Sequence, residues 1–215
     1  AGTVRALVLE QGADKRVTSS TQEVGEDRLA AGDVTVKVDY STVNYKDGLI
    51  VTTGGRLVKT WPHVGGIDLA GTVEKSDNPN FKPGDKVLVN GYRLGELFWG
   101  GYATKARLKA EHLVRLPNAI STKRAMAIGT AGYTSMLCVL ALEKHGIKPA
   151  DGEILVTGAA GGVGSVAIAI LKKLGYTVVA ATGRPEEPHH LNGLGAASTI
   201  EPKAPSPSVA TEGPA

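Results

Sequence analysis

The feature that most restricts the fold of this sequence is a glycine cluster between a strand-like and a helix-like segment. Residues 153–158 read EILVTG, the loop continues as AAGGVG over 159–164, and a helix-like segment, VGSVAIAILKKLG, covers 163–175. A second strand-like segment, TVVAATG, follows over 177–183. This order of strand, glycine loop, helix and strand predicts a β-α-β unit, the building block of a parallel sheet.

The glycine loop suits a ligand that carries a diphosphate. Glycine permits the sharp turn that takes a strand into a helix. Without a Cβ, the loop also leaves backbone N–H groups open to an anion, which the helix dipole favours. A tight turn that binds nothing is the alternative, but the flanking strand and helix are the context of a dinucleotide fingerprint. We predict cofactor contacts at Ala160, Gly161, Gly162 and Val163.

The end of the second strand favours NADPH over NADH. An NAD site usually has Asp or Glu here to hold the ribose 2′-hydroxyl, whereas this chain has Thr182, Gly183 and Arg184. A guanidinium can pair bidentately with a 2′-phosphate. We therefore predict that these three residues bind NADPH, with a solvated surface arginine as the alternative for Arg184.

The chain before this unit has the pattern of a β domain. Short β-branched or alternating segments separated by turn signals, among them Pro83-Gly84, are typical of a compact barrel. We place strands at 3–10, 33–43, 67–76, 85–91 and, once or twice, within 100–117.

Helical periodicity then runs from Ser121, a candidate N-cap, to Leu142, and we expect Gly129 and Gly132 to divide it. After the β-α-β unit we expect a weak helix over 185–195 and a short strand, ASTI. Four prolines over 201–215 predict a disordered or linker-like tail. The predicted domains are therefore residues 1–122, residues 123–200 and the tail.

Composition narrows the functional classes. The net charge is +3 and the basic residues do not cluster, so we expect no nucleic-acid partner. No apolar run reaches the roughly 18 residues of a membrane helix, so we expect no membrane partner. The single cysteine, Cys138, cannot form an internal disulfide, which indicates a reducing, cytoplasmic compartment. No tyrosine is followed four residues later by lysine, which argues against a short-chain dehydrogenase.

Several strings together resemble one zinc-independent branch of the medium-chain dehydrogenase/reductase superfamily, the acryloyl-CoA reductase group. They are NYKDGL (44–49), GIDLAGTV (66–73), FKPGDKV (81–87), IGTAGYTSMLCVLALE (128–143) and GEILVTGAAGGVGS (152–165). The resemblance implies an α/β protein, with an N-terminal GroES-like β-barrel domain followed by a doubly wound Rossmann sheet that binds NADPH. It also implies a small-molecule substrate and a homodimer.

The metal sites of the zinc-dependent relatives cannot be built from one cysteine and five scattered histidines, so we predict no metal. Without a Lewis acid a conjugated C=C–C=O substrate suits hydride transfer best, with donors that hold the enolate oxygen. The predicted reaction is NADPH-dependent reduction of a short enoyl-CoA. The alternatives are quinone reduction and a non-catalytic fragment that binds NADPH or a partner.

Candidate catalytic residues lie in two of the matching strings. By resemblance, Tyr45 contacts the nicotinamide side of the pocket and can donate to substrate, and Asn44 and Asp47 position substrate or backbone. Asp68 interrupts an apolar strand and should be hydrogen-bonded if buried. Thr130 is predicted to contact the nicotinamide amide. The alternatives are structural: a half-buried tyrosine for Tyr45, turn formation for Asn44 and Asp47, and helix packing for Thr130.

A CoA ester also calls for cations that bind its phosphates. Arg56 and Lys59 are candidates, and Lys46 is another, although a solvated lysine is the simpler interpretation. The family continues well beyond the half Rossmann unit seen here, so we expect the printed sequence to be a partial view of a longer protein. A true fragment completed by another chain and a truncated relative that only binds are the alternatives.

Overall fold

The computed structural model describes residues 2–54, 57–184 and 188–201. Most of the predicted tail and Arg56 therefore lie outside the described residues. The chain divides into two compact units, Ala1–Thr130 and Ala131–Ala215. The first unit runs past the predicted boundary at residue 122 because Ala125 and Met126 pack against its β structure.

The first unit contains two antiparallel sheets. One has the strand order β2-β1-β4, and the other has the order β7-β3-β5-β6-β8. A bridge between Ala6 and Ala103 links β1 to the segment before β7. The strands are β1 (Thr3–Gln11), β2 (Val17–Gly25), β3 (Val34–Tyr40), β4 (His63–Val64), β5 (Asp68–Ser76), β6 (Lys86–Asn90), β7 (Lys105–Leu108) and β8 (Val114–Arg115).

The core of the larger sheet consists of the inward-facing apolar residues of its strands. Val34, Val36, Leu69 and Val87 have no exposed surface. Burial of this apolar area, at about 25 cal/mol per Å², fixes the register of β3 against β5. The loops at the ends of these strands are thereby held in place, and they carry the candidate polar residues.

Helix α1 (Tyr45–Thr53) was not predicted. Its sequence, YKDGLIVTT, contains a glycine and four β-branched residues, which lower helix propensity. Tertiary packing outweighs this, because Ile50 is fully buried. The helix ends at Gly54, whose φ of +66° is left-handed and whose N–H bonds to Ile50 O.

Helix α2 (Thr122–Lys144) is broken at Gly129, where φ is +56° and ψ is −163°. The predicted division therefore falls at Gly129, and Gly132 continues the helix. By length and composition α2 could cross a membrane. The break leaves an uninterrupted helix over 130–144. At a rise of 1.5 Å per residue, this helix is shorter than a transmembrane helix, which needs roughly 20 residues.

The second unit confirms the predicted β-α-β pattern. Its three strands are parallel in the order β11-β10-β9, with a core that includes Ile168, Leu171 and Leu191. The elements are β9 (Glu153–Val156), α3 (Gly162–Lys173), β10 (Thr177–Ala181), α4 (Pro188–Leu194) and β11 (Ser198–Ile200). The predicted α/β class, an antiparallel β domain followed by part of a parallel sheet with helices, is confirmed.

Candidate active site

The glycine loop of the second unit makes a tight turn between β9 and α3. Gly158 has a left-handed φ of +57°, and its carbonyl accepts from the Gly161 N–H at 2.9 Å. The Ala159 N–H donates to Ala181 O at 3.2 Å, which ties the loop to β10. The loop is therefore fixed from both sides.

Gly164 allows α3 to lie close to this loop. A Cβ at Gly164 would fall 2.7 Å from Ala159 Cα, where ordinary contacts begin at 3.4 Å. Side chains larger than hydrogen are thus excluded by backbone atoms. The close approach keeps the first turn of α3, whose N–H groups have no partner inside a helix, next to the loop.

A cleft of about 290 Å³ opens beside the loop. We predicted cofactor contacts at seven residues of the glycine loop and the end of β10, and five of these residues line the cleft. The other two, Gly162 and Val163, lie in the first turn of α3. Its lining is Thr157, Gly158, Ala160, Gly161, Ala181, Thr182, Gly183 and Arg184.

The chemistry of the cleft fits a dinucleotide phosphate. Gly161 has an ordinary extended backbone that any residue could adopt. A Cβ there would lie 3.2 Å from Gly158 O. The absence of a side chain at Gly161 therefore matters for the space it leaves in the loop and not for the backbone conformation. Thr182 is buried and its Oγ1 accepts from the Arg184 N–H at 3.2 Å. A helix N-terminus and an exposed guanidinium then lie at one cleft, as a diphosphate and a 2′-phosphate require.

Asp68 is the centre of a polar network in the first unit. It has no exposed surface. The backbone N–H of Thr42 donates to Oδ1 at 3.1 Å, and the Thr42 hydroxyl lies 2.7 Å from both oxygens. The N–H and hydroxyl of Thr130 donate to Oδ2 at 3.1 and 2.7 Å. Both oxygens are thus filled by protein donors, as a buried carboxylate requires.

Asp47 and Asn44 form the second half of this network. Asp47 is 1% exposed, and its Oδ1 accepts from the Ile67 N–H at 3.0 Å. Its Oδ2 accepts from the Asn44 N–H and Nδ2 at 2.9 and 3.0 Å. Asn44 Nδ2 also donates to Thr42 Oγ1 at 2.8 Å. Both amide hydrogens of Asn44 are therefore in use, and the pair holds the start of α1.

Tyr45 contrasts with these buried groups. Its side chain is 85% exposed at the first position of α1. Within the described residues its hydroxyl has no hydrogen-bond partner. Of the predicted catalytic residues, Tyr45 is thus the one whose donor is open to a ligand.

Sequence reasoning missed Thr42 and Tyr102. The Tyr102 hydroxyl donates to Thr42 O at 2.9 Å, and burial together with the nearby Asp47 carboxylate raises the pKa of Tyr102. The polar run that follows β3, Ser41-Thr42, was the available signal.

Sequence reasoning also missed His63 and Glu96. His63 is fully buried, its Nε2 donates to Gly95 O at 2.8 Å, and burial lowers its pKa. Glu96 is buried and pairs with two cations, one of them Lys46.

The candidate phosphate-binding residue Lys59 is exposed. Among the described residues no three His, Cys, Asp or Glu side chains form a group that could hold a metal.

Comparison with known proteins agrees with this architecture. The alcohol dehydrogenase GroES-like domain family matches residues 30–118. The acrylyl-CoA reductase AcuI of Ruegeria pomeroyi is 54% identical over 196 residues, 91% of this chain and 59% of that protein. More distantly, a quinone oxidoreductase of Sus scrofa is 33% identical over 156 residues, 71% of this chain and 45% of that protein.

Two solved structures share the fold. The yhdH oxidoreductase of Salmonella enterica in complex with NADP has a TM-score of 0.89 at 50% identity, and the match covers 92% of this chain and 60% of that one. The Bacillus subtilis protein yhfP with NAD bound has a TM-score of 0.89 at 43% identity, over 94% and 61%. This chain spans about 60% of the length of these two structures and of AcuI. In sequence and in fold the chain is therefore similar to these oxidoreductases over about nine tenths of its own length.

Proposed function

We propose that this chain belongs to an NADPH-dependent reductase of activated C=C bonds, with a short enoyl-CoA such as acryloyl-CoA as substrate. The observation that carries the proposal is the glycine-lined cleft of the second unit with Arg184 on its wall. The similarity to an acrylyl-CoA reductase over 91% of the chain supports the substrate class.

The cleft binds the phosphates of the cofactor. The first-turn N–H groups of α3 hold the diphosphate, and Arg184 with Thr182 holds the 2′-phosphate. Bound NADPH supplies the hydride. The chain's own contribution here is to fix the cofactor through a rigid loop, whose Gly158 and Ala159 are hydrogen-bonded to Gly161 and Ala181.

The polar network of the first unit presents Tyr45 to the substrate. Its hydroxyl donates to the thioester oxygen and stabilises the negative charge that develops there. Asn44 and Asp47 act as positioning residues, because they fix the first turn of α1. Asp68 holds Thr42 and Thr130 in the same way.

Quinone reduction is the second candidate, and the Sus scrofa relative supports it. A non-catalytic NADPH-binding fragment is the third, and the partial coverage of the relatives supports that. The proposal also includes a cytoplasmic homodimer without nucleic-acid or membrane partners. Sedimentation velocity tests the dimer, and a single species of monomer mass would contradict it.

The decisive assay follows NADPH oxidation with acryloyl-CoA and, separately, with a quinone. We expect turnover with acryloyl-CoA that Tyr45→Phe reduces. Turnover with the quinone alone would favour the second candidate. NADPH binding without turnover of either compound would favour the third.

A further inference from the structure

Three charged side chains form a group that the proposed reaction does not use. Glu96 is 7% exposed. Its Oε1 lies 2.8 Å from Lys46 Nζ, and its Oε2 lies 2.9 Å from Arg93 Nε. We call these three residues the Glu96 cluster. Two cations share one carboxylate, so the cluster carries one net positive charge.

The Glu96 cluster lies beside the polar network of the first unit. Lys46 directly precedes Asp47 in the first turn of α1. The Ile67 N–H donates to Asp47, and Ile67 O accepts from the Gly91 N–H at 3.1 Å. Gly91 begins the loop that carries Arg93 and Glu96. The cluster and the network are therefore joined through both α1 and this loop.

Both cations keep donors that face solvent. Their side chains are 46% exposed for Lys46 and 55% exposed for Arg93, against 9% for Glu96. An ammonium has three donors and a guanidinium has five. Among the described residues each cation makes one ion pair, with Glu96. The carboxylate thus fixes the two side chains without using up their capacity to bind an anion.

The backbone conformation at Arg93 supports a functional role for the Glu96 cluster. Tyr92 and Arg93 have left-handed φ values of 51° and 64°, a conformation that is strained for residues other than glycine. Glu96, Leu97 and Phe98 donate their N–H groups to Arg93 O, which holds the strained turn. The turn brings the Arg93 guanidinium to Oε2 of Glu96, while Lys46 contacts Oε1.

We propose that Lys46 and Arg93 bind phosphate groups of coenzyme A when it carries the acyl substrate. This inference rests on the proposed function and names the anchor of its substrate. Two cations fixed on one carboxylate suit a diphosphate, and prior fixing by Glu96 reduces the ordering cost of binding. Tyr45 and Leu49 are exposed one turn apart on α1 next to Lys46 and offer an apolar surface to the rest of the carrier. A quinone has no phosphate and would leave the cluster unused.

The test titrates coenzyme A into the full chain by calorimetry, with pantetheine as the probe without phosphates. The titration is repeated in saturating NADPH, because coenzyme A also contains an adenosine phosphate that could enter the glycine cleft. We expect coenzyme A to bind in the presence of NADPH, more tightly than pantetheine, and to weaken as salt is raised. Lys46→Gln and Arg93→Gln should each weaken its binding about three- to tenfold, since the contacts are half exposed, with pantetheine unaffected.

Lys37→Gln is the matched control, because Lys37 is an exposed lysine on β3 of the same unit. We expect it to leave coenzyme A binding unchanged. Lys59→Gln tests the rival phosphate contact predicted from the sequence. Circular dichroism and a thermal melt check that each variant is folded.

Several outcomes would overturn the assignment of Lys46 and Arg93 as the residues that bind the phosphates of coenzyme A. Unchanged coenzyme A affinity in both Lys46→Gln and Arg93→Gln, with lowered thermal stability, would make the Glu96 cluster a structural clamp only. Displacement by NADPH would place coenzyme A in the glycine cleft, and an effect of Lys59→Gln alone would place it elsewhere. NADPH binding without coenzyme A binding would reject the anchor while the cofactor assignment stands. Absent NADPH binding would reject the proposed function itself.

Discussion

Replacing Gly164 by alanine tests the close packing of α3 on the glycine loop. The new Cβ would lie 2.7 Å from Ala159 Cα and 2.9 Å from Ala159 O, about 0.7 Å short of an ordinary contact in the first case. The obstructing atoms are backbone, so they cannot move aside as a flexible side chain would. Either α3 withdraws from the loop or the loop deforms.

The expected magnitude follows from two opposing effects. Overpacking costs about 1–3 kcal/mol, and the backbone contacts place this case at the upper end. Alanine gains up to about 1 kcal/mol over glycine in a helix. We therefore expect Gly164→Ala to lower the free energy of unfolding by about 2 kcal/mol and the Tm by about 4–8 °C.

Differential scanning calorimetry of the full chain measures this effect. Gly193→Ala is the control, since Gly193 lies in α4 of the same unit and a Cβ there would meet nothing within 4 Å. It should leave the Tm unchanged or raise it slightly. Equal Tm values for the two variants would refute the close approach of α3 to the loop.

Three further predictions concern single side chains. Arg184→Gln should weaken NADPH binding about tenfold by calorimetry while NADH binding is unchanged, and an equal loss for both cofactors would count against 2′-phosphate recognition. Tyr45→Phe should lower kcat for acryloyl-CoA about 100-fold with NADPH affinity intact, and an unchanged kcat would remove Tyr45 from the reaction. Because burial lowers the pKa of His63, the unfolded chain binds more protons just below pH 6.5, so stability should fall as the pH drops below that value. His63→Gln, which retains a donor for Gly95 O, should flatten that part of a pH series of urea melts, and an unaltered slope would contradict the role of His63.

The second unit could be predicted closely because its signals are local. A strand, a glycine loop and a helix in one short stretch determine the β-α-β pattern, and cleft residues such as Gly161 and Arg184 follow from it. The break at Gly129 was also predicted from the residue itself. At Gly132, by contrast, the helix continues and absorbs the cost of about 1 kcal/mol that glycine carries in a helix.

The first unit was harder because its partners are distant in sequence. Asp68 bonds to Thr42, 26 residues away, and to Thr130, 62 residues away, and no periodicity indicates either pairing. Strand β2 was missed because its sequence, VTSSTQEVG, is mostly exposed and lacks an apolar face. A strand that is held mainly by pairing with β1 leaves no hydrophobic pattern to detect.

The most direct test of the account is a calorimetric titration of the full chain with NADPH, repeated on Gly161→Ala. Gly161 has an ordinary extended backbone, and its Cβ would approach Gly158 O at 3.2 Å, so the variant should fold. We expect saturable NADPH binding to the wild type and clearly weaker binding to the variant, because Gly161 lines the cleft and a methyl group there takes up space next to the ligand. Absent binding in the wild type, or equal affinity in the two proteins, would contradict the assignment of the glycine cleft as the cofactor site.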